Sequence, residues 1–129
     1  MSTALYKQVT GDPTNTSGSF VDIEGLSFTL PAATSDANSA LVTLNVPSPY
    51  ADGGSSNGIS YQIDSNGASQ VTGSWTNQTS QNGRSPFTMV TLIPLNSSSQ
   101  FVQAQWQSVR GGTAHLGGSA TLTALLVNT

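Results

Sequence analysis

Two arginines carry the most chemical information in this chain. Arg84 and Arg110 each stand beside a glycine at the boundary of a strand-length run. A guanidinium offers five N–H donors in a planar fork, a shape suited to vicinal hydroxyls or the ring oxygen of a neutral sugar. Neither arginine has a salt-bridge partner close in sequence, so the plainer alternative is a structural hydrogen bond to loop carbonyls. Tyr50 lies in the proline-stiffened corner Pro47-Ser48-Pro49-Tyr50, which either presents the ring for stacking or plugs it into the core.

Other chemistries fit less well. His115 is the only histidine, so a Ser/His/Asp triad would have to use it, and the chain has no Gly-x-Ser-x-Gly elbow. Glycoside hydrolysis needs two facing carboxylates, one with a raised pKa. Of the six acids, Asp12, Asp52 and Asp64 read as turn residues and the others have no obvious partner. Asp64-Ser65-Asn66-Gly67 opens like a calcium loop but lacks the downstream glutamate, so it reads as a turn between strands. With no cysteine, disulfides and thiolate sites are excluded. The expectation is a protein without metal or cofactor that catalyses no reaction. Asn15-Thr16-Ser17, Asn77-Gln78-Thr79 and Asn96-Ser97-Ser98 match the glycosylation acceptor pattern, as chance allows in a chain this rich in Asn, Ser and Thr.

The surface implied by the composition is unusual. Only 9 of 129 residues are charged, 7%, with a net charge of −3, where an ordinary domain carries about 25%. In their place stand 54 Ser, Thr, Asn and Gln residues. So few cations exclude nucleic-acid binding through phosphate neutralisation. A surface of neutral hydroxyls and amides suits a partner that is also neutral and polar. Met1 to Gln8 has no apolar leader core, and no apolar stretch approaches a bilayer span. The expectation is a soluble protein made in the cytoplasm, without membrane insertion, reaching the cell surface or the outside by a leaderless route.

The elements that must position these residues are strands. Turn chemistry recurs at Gly11-Asp12-Pro13, Pro31, Pro47 to Pro49, Asp52-Gly53-Gly54, Asn66-Gly67, Asn82-Gly83, Asn96 to Ser99 and Gly111-Gly112. Between them lie Phe20–Ile23, Leu26–Leu30, Leu41–Val46, Ile59–Asp64, Gln70–Thr76, Phe87–Leu92, Phe101–Val109 and Ser119–Val127. No segment has a useful 3.6-residue period, so the pattern predicts one all-β domain, 1–129, folded as a sandwich or barrel. Val102, Ala104 and Trp106 alternate with Gln103, Gln105 and Gln107, which gives one buried and one polar face. Ala120, Leu122, Ala124 and Leu126 form an inner row, yet Leu125 and Val127 make the other face apolar too. Such a strand is expected to be covered on both sides, by a subunit contact or by the N-terminal segment.

The segments around these residues resemble a known family. Asn45-Val46-Pro47-Ser48-Pro49-Tyr50-Ala51, Gly83-Arg84-Ser85-Pro86-Phe87-Thr88 and Gln105-Trp106-Gln107-Ser108-Val109-Arg110-Gly111 are similar to the bacterial TNF-like fucose-binding lectin that forms the N-terminal domain of a Burkholderia superlectin. Val21-Asp22-Ile23, Gly25-Leu26, Gly58-Ile59, Phe101-Val102 and Ala114-His115 fit the same order. The resemblance spans residues 19 to 127 and leaves residues 1 to 18 uncovered.

This resemblance implies a TNF-like jelly-roll protomer, a compact homotrimer, and metal-independent fucose sites in the clefts between protomers. The implied partners are fucosylated oligosaccharides of cell-surface glycoconjugates. The family's two sugar-holding arginines fall on Arg84 and Arg110, its corner tyrosine on Tyr50, a strand threonine on Thr76 and a rim histidine on His115. Two site tyrosines of the family are replaced by Ser60 and Asn77. The loop before Gly83-Arg84 is shorter and puts Gln81 and Asn82 where the family has small hydroxyl residues. The alternative is a structural or protein-binding jelly roll, such as a capsid, spore or appendage component, that binds no sugar.

Overall fold

Alternating apolar and polar residues build two four-stranded antiparallel sheets whose apolar faces meet. The computed structural model describes residues 3–78 and 84–129. One sheet has the order β1-β11-β4-β8, from β1 (Ala4–Gly11), β11 (Gly118–Val127), β4 (Ser39–Val46) and β8 (Phe87–Pro94). The other has the order β3-β9-β6-β7, from β3 (Val21–Leu30), β9 (Gln100–Val109), β6 (Gly58–Ser65) and β7 (Ala68–Thr76). Three short strands, β2 (Thr14–Asn15), β10 (Thr113–His115) and β5 (Tyr50–Asp52), form a small third sheet in the order β2-β10-β5. The result is an all-β sandwich. Among the described residues no helix is long and apolar enough to cross a membrane.

The core lies between the large sheets. Val42, Leu44, Val46 and Leu122 from one meet Ile59, Tyr61, Ile63, Val102 and Trp106 from the other, all buried. Each such side chain contributes about 1.5–3 kcal/mol of burial free energy. Tyr61 stacks on Phe87 with ring centroids 4.5 Å apart. The β6–β7 hairpin turns at Asn66-Gly67, where both residues have positive φ (51° and 87°), as a two-residue turn of matching twist requires.

Two expectations need correction. Phe20–Ile23 and Leu26–Leu30 are one strand, not two: β3 runs through both, with a register shift against β9 between Asp22 and Ser27. The bulge frees the carbonyls of Ile23 and Leu26, and Gln103 Nε2 donates to both, at 3.1 and 3.2 Å. The N-terminal segment does not lie over the outer face of β11. It forms β1 and pairs along the edge of that strand, Ala4 with Leu125 through Gly11 with Gly118. Leu125 therefore stays 44% exposed, in a row with Leu41 and Leu92.

Candidate functional site

The small sheet closes one end of the sandwich and brings distant segments together there. Pairing of His115 with Tyr50 on β5 and with Thr14 on β2 sets the imidazole beside the phenol and beside the turn that holds Asp12. The Tyr50 and His115 rings stack, with centroids 4.0 Å apart and planes 10° from parallel. The Arg84 guanidinium carbon lies 4.3 Å from the Tyr50 centroid. Two groups each about 4 Å above one ring centroid cannot share a face, so the phenol is sandwiched between guanidinium and imidazole. Arg84 Nη1 also donates to the carbonyls of Ser48 (2.7 Å) and Gly117 (3.2 Å). Gly117 has a φ of +80°, and a Cβ there would run into the Ser48 carbonyl oxygen and Arg84 Nη1. Only glycine leaves Arg84 its seat.

Two carboxylates bracket the imidazole. His115 Nδ1 lies 2.9 Å from Asp12 Oδ2, and Nε2 lies 2.6 Å from Asp52 Oδ2. Burial depresses the His115 pKa, but the hydrogen bonds and charges of Asp12 and Asp52 outweigh it and hold the ring above its usual value. For Asp12 burial works upward and is likewise outweighed, by His115, the Gly117 N–H and the Tyr50 hydroxyl, so its carboxyl sits below the usual range. Burial and the Asp12 charge push the Tyr50 phenol upward.

Arg110 occupies a second, differently built corner. It follows β9 with a φ of +58°, and its Nη1 donates to the Ser56 carbonyl at 3.2 Å. Its own carbonyl accepts from Asn57 Nδ2 at 3.1 Å. Asn77 pins the same loop: Nδ2 donates to Ala51 O (2.9 Å) and Gly54 O (3.0 Å), and its backbone bonds to Ser56 and Asn57. Thr76 pairs with Gly58 at the end of β7, half-buried. Ser60 lies two residues along β6, buried between Ser74 and Gln107.

The structure therefore joins Tyr50, Arg84 and His115 in one corner and gathers Arg110, Thr76, Asn77 and Ser60 around the other. Gln81 and Asn82 lie outside the described residues. Two sequence expectations change in role. Tyr50 cannot lay a face on a sugar while Arg84 and His115 cover both, so its ring serves as a platform. Asn77 is buried with both amide hydrogens spent on loop carbonyls, which makes it a pin for the 53–57 loop. Both arginines do bond loop carbonyls, but through Nη1, and both remain exposed. Asp12 and Asp52, turn residues by their sequence, hold His115 across sequence separations of 103 and 63. Among the described residues no group of three or more His, Asp or Glu side chains is placed to hold a metal ion.

Comparison with known proteins gives one strong match. The family described as "Bc2l-C, N-terminal domain" matches residues 7–125. This bears out the resemblance read from the sequence and takes in β1 from Lys7 onward, which that resemblance did not reach. No curated protein matches. Among solved structures, the chain is similar to the EclA C-terminal domain, a sugar-binding protein, at 12% identity and TM-score 0.48, covering 93% of this chain and 79% of that one. It is also similar to the CBM36-1 domain of a multidomain xylanase from the hindgut metagenome of Trinervitermes trinervoides (10%, 0.44, 93% and 96%). The third is the insecticidal delta-endotoxin Cry8Ea1 from Bacillus thuringiensis (10%, 0.48), where 92% of this chain spans 20% of the toxin. Likeness at that level carries no functional inference. The family match covers nearly the whole sequence, and the chain belongs to the Bc2l-C N-terminal domain family.

Proposed function

We propose that this protein is a non-catalytic lectin that binds fucosylated glycans without metal, at sites between the protomers of a TNF-like jelly-roll trimer. The observation that carries the reading is the seat of Arg84. One guanidinium nitrogen is fixed by two carbonyls, the plane rests on Tyr50, and the group remains exposed. A planar donor fork held this way meets sugar hydroxyls without first losing its own freedom. Arg110 supplies the second fork, Thr76 a hydroxyl beside it, and His115 the rim. By the resemblance, Ser60, Gln81 and Asn82 belong to the same site.

Assembly is supported by the outer face of the β1-β11-β4-β8 sheet. Leu125, Leu41 and Leu92 form one row across three strands, with Tyr6 and Val90 in the next. They are 39–61% exposed, an apolar surface that a cyclic contact would cover. Trimerisation would let Arg84 of one protomer face Arg110 of its neighbour. A glycan array probed with the labelled protein in excess chelator tests the function. Fucosylated structures are expected to be retained; retention of no glycan, or only after calcium is restored, would contradict it.

A further inference from the structure

Asp12 sits in the turn between β1 and β2, outside every residue so far assigned to sugar, yet it holds three parts of the Arg84 corner at once. Its Oδ1 accepts from the Gly117 N–H at 2.9 Å. Its Oδ2 accepts from His115 Nδ1 at 2.9 Å and from the Tyr50 hydroxyl at 3.2 Å. Gly117 in turn offers its carbonyl to Arg84. The turn itself is tied down, because the Pro13 carbonyl accepts from the Leu116 N–H at 3.0 Å. One carboxylate thus touches Tyr50 and His115 directly and reaches Arg84 through one residue.

We propose that Asp12 is a positioning residue of this site, a clamp that holds the Tyr50–His115 stack in register and makes sugar binding weaken as pH rises. The proposal rests on the lectin reading above. Its physical basis is the geometry around the ring. Ionised carboxylates only accept hydrogen bonds, and His115 has one on each nitrogen, so both bonds form only when the ring carries two protons. A neutral imidazole must turn a lone pair toward Asp12 or Asp52, and that contact becomes repulsive. The groups facing His115 are Asp12 from the β1–β2 turn and Asp52 and Tyr50 from β5, with Arg84 beyond the phenol.

The sign follows from the two titrations. His115 is raised, so the doubly bonded ring is intact below the usual histidine value and is lost as pH climbs through the raised one. Asp12 is lowered, so at the acid end the clamp fails only as pH drops through that depressed value. Binding should be strongest between the depressed Asp12 value and the raised His115 value, and decline as pH climbs through the latter.

The test uses the full chain and Asp12→Asn, with Asp36→Asn as a remote control. His115 is the only histidine, so its ring signals are unambiguous by NMR. In the unliganded wild type, the ring should titrate above free imidazole, with both ring nitrogens protonated below that midpoint and ring protons shifted by the Tyr50 face. Calorimetry with a monovalent fucosylated oligosaccharide should show affinity falling through the same midpoint at which His115 titrates. Asp12→Asn should move that midpoint toward free imidazole, weaken the ring shift and cut affinity at mildly acid pH by about tenfold. The control should change nothing. An unmoved midpoint overturns the clamp; a moved midpoint with unchanged affinity and pH profile overturns the positioning role. Should Asp12→Asn lose its fold, Asp52→Asn must move the midpoint in the same direction. A wild type that binds no fucosylated glycan at any pH overturns the lectin reading and the positioning role, while the unliganded titration and ring shifts still decide the clamp.

Discussion

Arg84 rests on a stack of rings and on two carbonyls from distant parts of the chain, whereas Arg110 hangs from a turn that amide side chains hold in place. The first corner is charged: a guanidinium, an imidazole and two carboxylates crowd around one phenol. In the second, the amides of Asn57 and Asn77 do the holding. In a chain with 9 charged residues, four of them belong to these corners. The contrast teaches that the same donor fork can be fixed either by electrostatics and stacking or by a hydrogen-bonded loop. The first support responds to pH and the second does not.

Gly117→Ala should break the contrast most severely. Positive φ and the clash with the Ser48 carbonyl together cost about 2–5 kcal/mol, and Arg84 should lose its seat. Thermal unfolding and glycan binding should both fall, with the Arg110 loop unaffected in hydrogen exchange. A variant as stable as wild type would mean that the tight approach at Gly117 is unimportant. Asn77→Ala attacks the other corner. It removes the side-chain bonds to the Ala51 and Gly54 carbonyls, at about 1–3 kcal/mol. Exchange protection should fall in residues 53–57 while the His115 titration stays put; a shifted titration would mean the corners are not independently held.

Arg110 allows a finer test, because its backbone sits in the left-handed region. Arg110→Ala and Arg110→Gly should both lose glycan binding, since each removes the guanidinium. The glycine variant should nevertheless be more stable than the alanine one by about 1 kcal/mol in denaturant unfolding. Equal stability would show that the turn bears no backbone strain.

Much of the scaffold was legible before the structure. The alternation Val102, Ala104, Trp106 in β9, the inner row of β11 and the Asn66-Gly67 turn follow from side-chain period and turn chemistry. The strand β1 was not legible, because ALYKQVTG is exposed along most of both faces and shows no clean alternation. β2, β5 and β10 have two or three residues each, too few to show a period. They are the strands that build the Arg84 corner. Local pattern could point to Arg84, Tyr50 and His115 as interesting side chains, but not to Asp12 and Asp52 as their partners. Those contacts exist only once three segments far apart in sequence meet in the small sheet.

Complementation reveals whether Arg84 of one protomer and Arg110 of its neighbour complete one sugar site, as proposed. Arg84→Ala and Arg110→Ala chains, each unable to bind a fucosylated oligosaccharide alone, are unfolded together, refolded as mixed oligomers and titrated by calorimetry. In the proposed trimer, mixing would create interfaces that join an intact Arg84 from one chain to an intact Arg110 from the other. Binding should return in the mixture with wild-type affinity and a reduced number of sites. If the mixture binds no better than its two components, although mixed trimers are demonstrated by mass, the arginines do not meet across an interface.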